Sequence, residues 1–510
     1  MKERAHPIFS NTIYNIINTA ISFVIAYAMT PVILGRLGSE DYGIWVFLSI
    51  FTVTGYFSLL DLGFQGAATK YVAEYLSKKD YGKLQDIVNS ILFFFLAAGF
   101  IGAIILFVLN FFFLETFFNL PSGKIQTISL LINITAFSFL FQFPALGYSA
   151  IIQGLQKYGY LRGVTIFTTI LSNAILFIYL NQNNGIVFLI IVTLATALLV
   201  TLLYAWITKK ILPSIKLSFF SIKKYSFKLL FSLSSKLFAS RIVGLIFNNT
   251  DKILIGIFLT VNNQTEYDIV NKLHIVLLSL LSIINQVVLP ATSEFAAKHD
   301  TSKLKTILIR STKYSSVLVL PALLLLTIFP YEIVSVWVGD SYSNLGNLVR
   351  LYSVHIFFTM LVGVSSTMFV GINQVEKVLK ISIFAALLNL VISISTVNTL
   401  GIKGLIVATV ISYIISSIVY IFVANKTFYI KNKEFFKQTI LPLLPATILI
   451  ATGMLILKPF MQSVSIVTWM GFSIMIYLLF FGIFSITGLQ PEEKSYLKHF
   501  FTQFTTKFKS

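Results

Sequence analysis

Apolar runs of about 20 residues, the length a helix needs to cross a bilayer core, recur from one end of this chain to the other. Short polar connections separate them. The pattern predicts fourteen membrane spans, near 12–34, 43–68, 87–113, 126–152, 163–181, 185–208, 229–259, 267–290, 314–338, 345–371, 380–399, 403–424, 439–458 and 464–487. No stretch between them is long enough for a soluble domain. The first run has no small-residue cleavage site before a polar region, so it is expected as a retained span rather than a removed signal.

The pattern also repeats. Asp41-Tyr42-Gly43-Ile44 matches Glu266-Tyr267-Asp268-Ile269, and Gly154-Leu155-Gln156-Lys157 echoes Gly371-Ile372-Asn373-Gln374. Asn184-Gly185-Ile186 matches Leu400-Gly401-Ile402. Six spans separate each pair. An even number keeps the orientation, so the halves form a parallel repeat about an axis along the membrane normal. The expected organisation is a six-helix lobe over 1–208, a basic inter-lobe linker over 209–228 and a second six-helix lobe over 229–424. Two extra spans and a tail fill 425–510. Two lobes around a central cleft make a transporter architecture. The fold class is thus all-α and polytopic.

Composition agrees. Hydrophobic residues make up 56% of the 510, and charged residues 11% against a globular norm of about 25%. Mean hydropathy is +0.86. Net charge is +19, which in a soluble protein would suggest nucleic acid. Here the basic residues sit in short connections. Of 38 lysines and arginines, 29 fall on the side of the termini and only Arg36, Lys124, Lys403 and Lys458 in the opposite loops. That asymmetry places both termini in the cytoplasm and leaves no reason to expect a nucleic-acid partner.

The absence of cysteine excludes thiol catalysis and disulfides. The five histidines are scattered without ligand spacing, so no metal is expected. There is no phosphate-binding P-loop. Neither a cofactor nor an enzymatic activity is expected.

Polar residues inside the spans carry the chemistry. Arg241 lies near the middle of the 229–259 run, where a charge costs at least about 2.5–3.5 kcal/mol unless it faces a polar cavity or an ion partner. Ser234, Arg241, Asn248 and Lys252, at offsets 0, 7, 14 and 18, share one helix face. Asn11, Asn15, Asn18 and Ser22 form a stripe on the first span, the pseudo-symmetric partner of the seventh. One reading of these stripes is a polar pathway for something anionic; the other is interhelical hydrogen bonding and structural ion pairing.

Arg36, Lys252, Lys272 and Arg350 lie toward the outer side, where lumen lining competes with interfacial snorkelling. Arg241 and Arg350 are the stronger lumen candidates. Asp61, in the inner half of the second span, is a candidate coupling-ion site. It is equally suited to an ion pair with a basic neighbour such as Lys70.

Several segments resemble bacterial polysaccharide flippases of the multidrug/oligosaccharidyl-lipid/polysaccharide exporter superfamily. They are Thr30-Pro31-Val32-Ile33-Leu34-Gly35-Arg36-Leu37-Gly38, Asp41-Tyr42-Gly43-Ile44-Trp45 and Leu60-Asp61-Leu62-Gly63-Phe64. Asn249-Thr250-Asp251-Lys252-Ile253 and Val336-Trp337-Val338-Gly339 are similar to signatures of the second lobe. The resemblance implies alternating access that moves undecaprenyl-diphosphate-linked oligosaccharide from the inner to the outer leaflet of a bacterial plasma membrane, for surface polysaccharide such as O-antigen or capsule. It implies membrane lipids, a polysaccharide polymerase and chain-length machinery as partners. A multidrug cation antiporter of the same superfamily is the alternative, though it would call for embedded acids. A membrane-embedded polymerase would call for a large outer loop.

Overall fold

The computed structural model describes residues 2–181, 185–216, 223–461 and 464–495, with side chains described for all of these except 2–17, 20, 235–237 and 239–248. Among the described residues the chain is helical, with no strand. Twelve segments are long and apolar enough to cross a membrane. Two features reconcile this with fourteen runs. The first two runs merge into one continuous segment, Ile21–Asp61. The 229–259 run is a single helix whose central side chains lie outside the description.

By internal contacts the chain divides into two compact units, Met1–Thr265 and Glu266–Ser510. The first contains α1 (Lys2–Leu48), α2 (Phe64–Ser77), α3 (Tyr81–Phe117), α4 (Ile125–Gly154), α5 (Tyr158–Tyr179), α6 (Gly185–Ile211), α7 (Lys224–Phe258) and the first turn of α8 (Val261–Ala297). The second holds the rest of α8, then α9 (Thr301–Ile328), α10 (Pro330–Val338), α11 (Gly346–Gly371), α12 (Val375–Leu400), α13 (Ile402–Thr427), α14 (Asn432–Thr439), α15 (Leu444–Leu457) and α16 (Ile466–Thr487).

Gly38, at φ 78° and ψ 171°, kinks α1, so its last turns start a new direction. A residue with a Cβ avoids that conformation. Just beyond it, Gly43 meets the start of α8: a Cβ there would lie 1.9 Å from the Val261 carbonyl oxygen. This close approach gives the Asp-Tyr-Gly-Ile motif a packing reason. Its neighbours Tyr42 and Ile44 are fully buried.

The second expected span is broken. After α1 the chain runs through short 3₁₀ turns at Ser49–Phe51 and Tyr56–Asp61 before α2 begins. Hydroxyls satisfy part of the interrupted backbone: Ser49 Oγ donates to Val46 O at 2.6 Å and Ser58 Oγ to Gly55 O at 2.7 Å. At the apolar surface, α3 turns Phe100, Phe111 and Phe112 outward, a face suited to lipid.

The repeat is visible in the turns. At Gly154–Lys157 the amides of Gln156 and Lys157 bond to Gln153 O and Ile152 O at 2.8 and 3.1 Å, with Gln156 at φ 58°. In the second unit Asn373 and Gln374 bond to Val370 O and Phe369 O at 3.0 and 2.8 Å, with Asn373 at φ 59°. A further pair of loops, 74–84 and 294–304, also matches. In the first, Glu74 pairs with Lys78 at 2.6 Å, Asp80 accepts the Lys83 amide at 3.0 Å, and Lys78 lies over Tyr75. In the second, Glu294 pairs with Lys298 at 2.5 Å, Asp300 accepts the Lys303 amide at 2.9 Å, and Lys298 lies over Phe295. Lys79 and His299 take left-handed conformations at equivalent points, φ 55° and 53°. In the first loop, the hydrogen bond from Lys78 holds the Glu74 carboxyl below its ordinary range.

Candidate functional site

Within the first unit the C-terminal part of α7 packs beside the break in the second span. Lys252 Nζ donates to Ser49 Oγ at 3.2 Å, and Tyr56 shares a hydrogen bond with Thr250 at 3.2 Å. The Lys252 carbonyl accepts Gln264 Nε2 at 2.6 Å, which ties α7 to the first turn of α8. Asp251, next along α7, is buried. A lysine, an aspartate, a tyrosine and two hydroxyls thus meet where a membrane helix is interrupted, the usual place for polar groups to gather in a transporter.

On α7 the Ser234 hydroxyl is fully buried and bonds to Leu230 O at 2.9 Å. Arg241 and Asn248 are within the α7 helix, but their side chains lie outside the described residues, as does that of Asn15 on α1. Asn18 is described. It is buried, and its side-chain oxygen has no hydrogen bond. A buried amide oxygen left open calls for a water or ligand partner.

Asp61 is 1% exposed. Its Oδ1 accepts the Gln65 amide at 2.9 Å, so it caps the N-terminus of α2 across the left-handed Leu62 and Gly63. Arg36 is directed at the C-terminal carbonyls of α5: Nη1 donates to Leu176 O at 3.1 Å and Leu180 O at 3.0 Å, over the Phe177 ring. Leu176 O also accepts the Leu180 amide at 3.0 Å, and the dipole of the helix favours a cation at this end.

In the second unit Arg350 plays a similar part. Its Nε donates to Thr327 O at 2.9 Å, at the end of α9, and its guanidinium lies over Tyr331. Lys272 pairs with Asp268 one turn back at 3.0 Å. Arg36, Arg350 and Lys272 therefore each have a partner inside their own unit.

Two clusters were not legible as sites in the sequence. Lys313, counted among the loop charges, is instead 2% exposed on α9, and both Glu493 oxygens lie within 2.7 Å of its Nζ. Tyr314 donates to the same carboxylate at 2.8 Å. The histidines are not all scattered either. His274 on α8 and His355 on α11 are buried against each other, ring centroids 5.7 Å apart, although 81 positions separate them in sequence. Among the described residues no group of His, Asp and Glu is arranged to hold a metal.

Comparison with known proteins gives the relatives. The chain is 25% identical over 241 residues to a probable low-salt glycan biosynthesis flippase, Agl15, of Haloferax volcanii, covering 45% of this chain and about half, 48%, of that one. It is 22% identical over 436 residues to an uncharacterized membrane protein, EpsK, of Bacillus subtilis, covering 83% and 84% of the two chains. Among solved structures, the lipid II flippase MurJ in an inward closed conformation matches with TM-score 0.71 at 16% identity, over 93% of this chain and 98% of that one. An inward-facing multidrug resistance MATE family transporter matches with TM-score 0.65 at 15% identity, over 81% and 98%. Both likenesses fix the fold, which is like that of MurJ and of the MATE transporter. A family model described as polysaccharide biosynthesis protein matches residues 33–345, more than half of the chain, and the protein belongs to that family.

Proposed function

We propose that the protein is a flippase that carries undecaprenyl-diphosphate-linked oligosaccharide from the inner to the outer leaflet of a bacterial plasma membrane, for surface polysaccharide assembly. The observation that carries this reading is a permanently charged residue, Arg241, in the middle of a 35-residue membrane helix of a polysaccharide biosynthesis protein. A diphosphate is the anion such a residue fits, because the planar guanidinium grips two oxygens at once. The relative named as a glycan biosynthesis flippase supports the reading. The lipid tail would remain in the membrane while the head group crosses by alternating access. Asn15, Asn18, Asn248 and Lys252 would complete the polar lining.

The organisation that goes with this reading has lobes 1–208 and 229–424 around the linker 209–228, both termini cytoplasmic, and a polymerase with its chain-length machinery taking up the product. Reporter fusions after Lys79, Lys224 and Lys433 should read cytoplasmic, and fusions after Leu120, Asn263 and Ser341 external. Two reversals would break this topology.

A multidrug antiporter is the second reading, favoured by the MATE likeness. The assay that separates them is export of surface glycan by a strain carrying the protein as its only flippase. Arg241→Ala should abolish export at normal membrane expression, and Arg241→Lys should retain part of it. No export by the parent would reject the flippase reading, and full export by the alanine variant would reject the role given to Arg241.

A further inference from the structure

We propose that His274 is a proton-binding site inside the membrane part of the second unit, and that Ser353 is the hydroxyl that switches when the proton arrives or leaves.

The inference starts from counting hydrogens. His274 is fully buried, and both ring nitrogens are engaged. Nδ1 faces the Val270 carbonyl at 2.7 Å, and a carbonyl only accepts, so Nδ1 carries a hydrogen. Nε2 faces Ser353 Oγ at 3.0 Å. Ser353 has one hydroxyl hydrogen, and its oxygen also lies 2.8 Å from the Val349 carbonyl, which again only accepts. If that hydrogen goes to Val349, Nε2 must donate to the serine, and the ring is the imidazolium. If it goes to Nε2, the ring is neutral and the Ser353–Val349 contact has no hydrogen between two oxygens. Only the cation satisfies all three contacts together. On proton loss, the Ser353 hydroxyl rotates from Val349 to Nε2, and Val349 O keeps only its helix bond.

Burial opposes the charge while the hydrogen-bond set favours it, and a site that must load and unload needs that balance. The surroundings make it a one-proton site. From α11, Tyr352 packs edge-on to the His274 ring at 4.7 Å and His355 lies at 5.7 Å. From α13, Tyr413 stacks on His355 at 5.1 Å. Two imidazolium rings so close would repel, so the pair holds one charge. His355 Nδ1 bonds to the Tyr352 carbonyl in its own helix. Among the other charges of α8 and α11, Asp268 pairs with Lys272, Glu294 with Lys298, and Arg350 donates to Thr327 O.

The site links α8 to α11 through one hydrogen bond whose direction depends on the proton. Proton binding can therefore bias the packing of those two helices. The coupling role rests on the transporter reading above; the proton site itself does not.

The test uses the full-length protein in lipid nanodiscs with ¹⁵N-labelled histidine. Five histidines are present, and four can be assigned from their own glutamine variants, so His274 is identified even if His274→Gln fails to fold. The expected result is one imidazole whose two nitrogens pass together from the doubly protonated to the neutral form as the pH is raised from about 4 to 8. Ser353→Ala, which removes the Nε2 acceptor, should move that midpoint to lower pH. A His274 that stays neutral down to pH 4 overturns the proton site.

In vesicles, a gradient of one pH unit should shift the steady-state distribution of labelled lipid-linked oligosaccharide by about tenfold if one proton moves per cycle. His274→Gln should lose that shift. A titrating His274 whose glutamine variant still responds to the gradient overturns the coupling role. If the parent moves no lipid-linked oligosaccharide at all, the flippase reading fails, and the spectrum still decides the proton site.

Discussion

The ion pair between Lys313 and Glu493 allows a quantitative prediction. Both side chains are nearly inaccessible, at 2% and 3%, and the contact is 2.6 Å. Glu493→Gln leaves an ammonium buried without its counter-charge, which costs about 3–5 kcal/mol where the structure cannot relax. Here it can relax, because Glu493 stands on the segment after α16, which can undock and let water reach Lys313. The penalty should therefore appear as local opening of that segment rather than as global unfolding. Hydrogen exchange at the Lys494 amide, which bonds to Gln490 O at 3.0 Å, reads this directly. At about 1.4 kcal/mol per decade, exchange should accelerate by roughly two to three orders of magnitude, levelling off once the segment is free. The second pair on this segment, Arg310 with an 80% exposed Glu492, is solvated and adds little. The double variant Lys313→Met/Glu493→Leu removes both charges and should exchange more slowly than Glu493→Gln alone. Acceleration of less than about fivefold in Glu493→Gln, or no rescue in the double variant, would refute the argument.

Three further outcomes are expected. The segment should also open in acid: hydrogen bonds from Lys313, the Gln490 amide and Tyr314 outweigh burial and hold the Glu493 carboxyl below its ordinary 4.5, so its stabilisation is present above that pH and is lost as pH falls through the lower native value. A protection factor at Lys494, taken relative to the free amide at each pH, that stays flat down to pH 3 would contradict this. Gly43→Ala places a Cβ 1.9 Å from the Val261 carbonyl and should destabilise by at least about 1–3 kcal/mol, visible as a lower melting temperature in detergent; an unchanged melt would mean the contact relaxes freely. Asp61→Asn keeps an oxygen to cap α2, so folded protein should persist; gradient-driven transport equal to the parent would leave Asp61 a cap and not a coupling site.

Run length made the helices legible, and the small motifs at Asp41–Ile44 and Gly154–Lys157 made the repeat legible, because each encodes a turn or a close approach that tolerates few residues. Hydropathy could not show the break after Leu48, since Thr52-Val53-Thr54-Gly55-Tyr56 is apolar enough to pass for helix while its threonines and glycine favour turns. Lys313 was legible only as a loop charge, because the carboxylate that neutralises it lies 180 positions away. The same distance problem hid the His274–His355 pair. Arg36 and Arg350 showed their charge in the sequence. The helix ends that they cap, those of α5 and α9, are contacts between elements that spacing does not encode.

The left-handed turns at Lys79, Gln156 and His299, with φ between 53° and 58°, bear on how the protein could be handled. An L-residue in that conformation costs roughly 1–2 kcal/mol, a penalty that glycine escapes at an entropic cost of about 0.5–1 kcal/mol. Asn373 holds the same geometry with a side chain that tolerates it, so it offers less. Glycine at the other three turns gives a short route to a more heat-resistant protein for purification, at positions that take no part in the polar lining or the proton site.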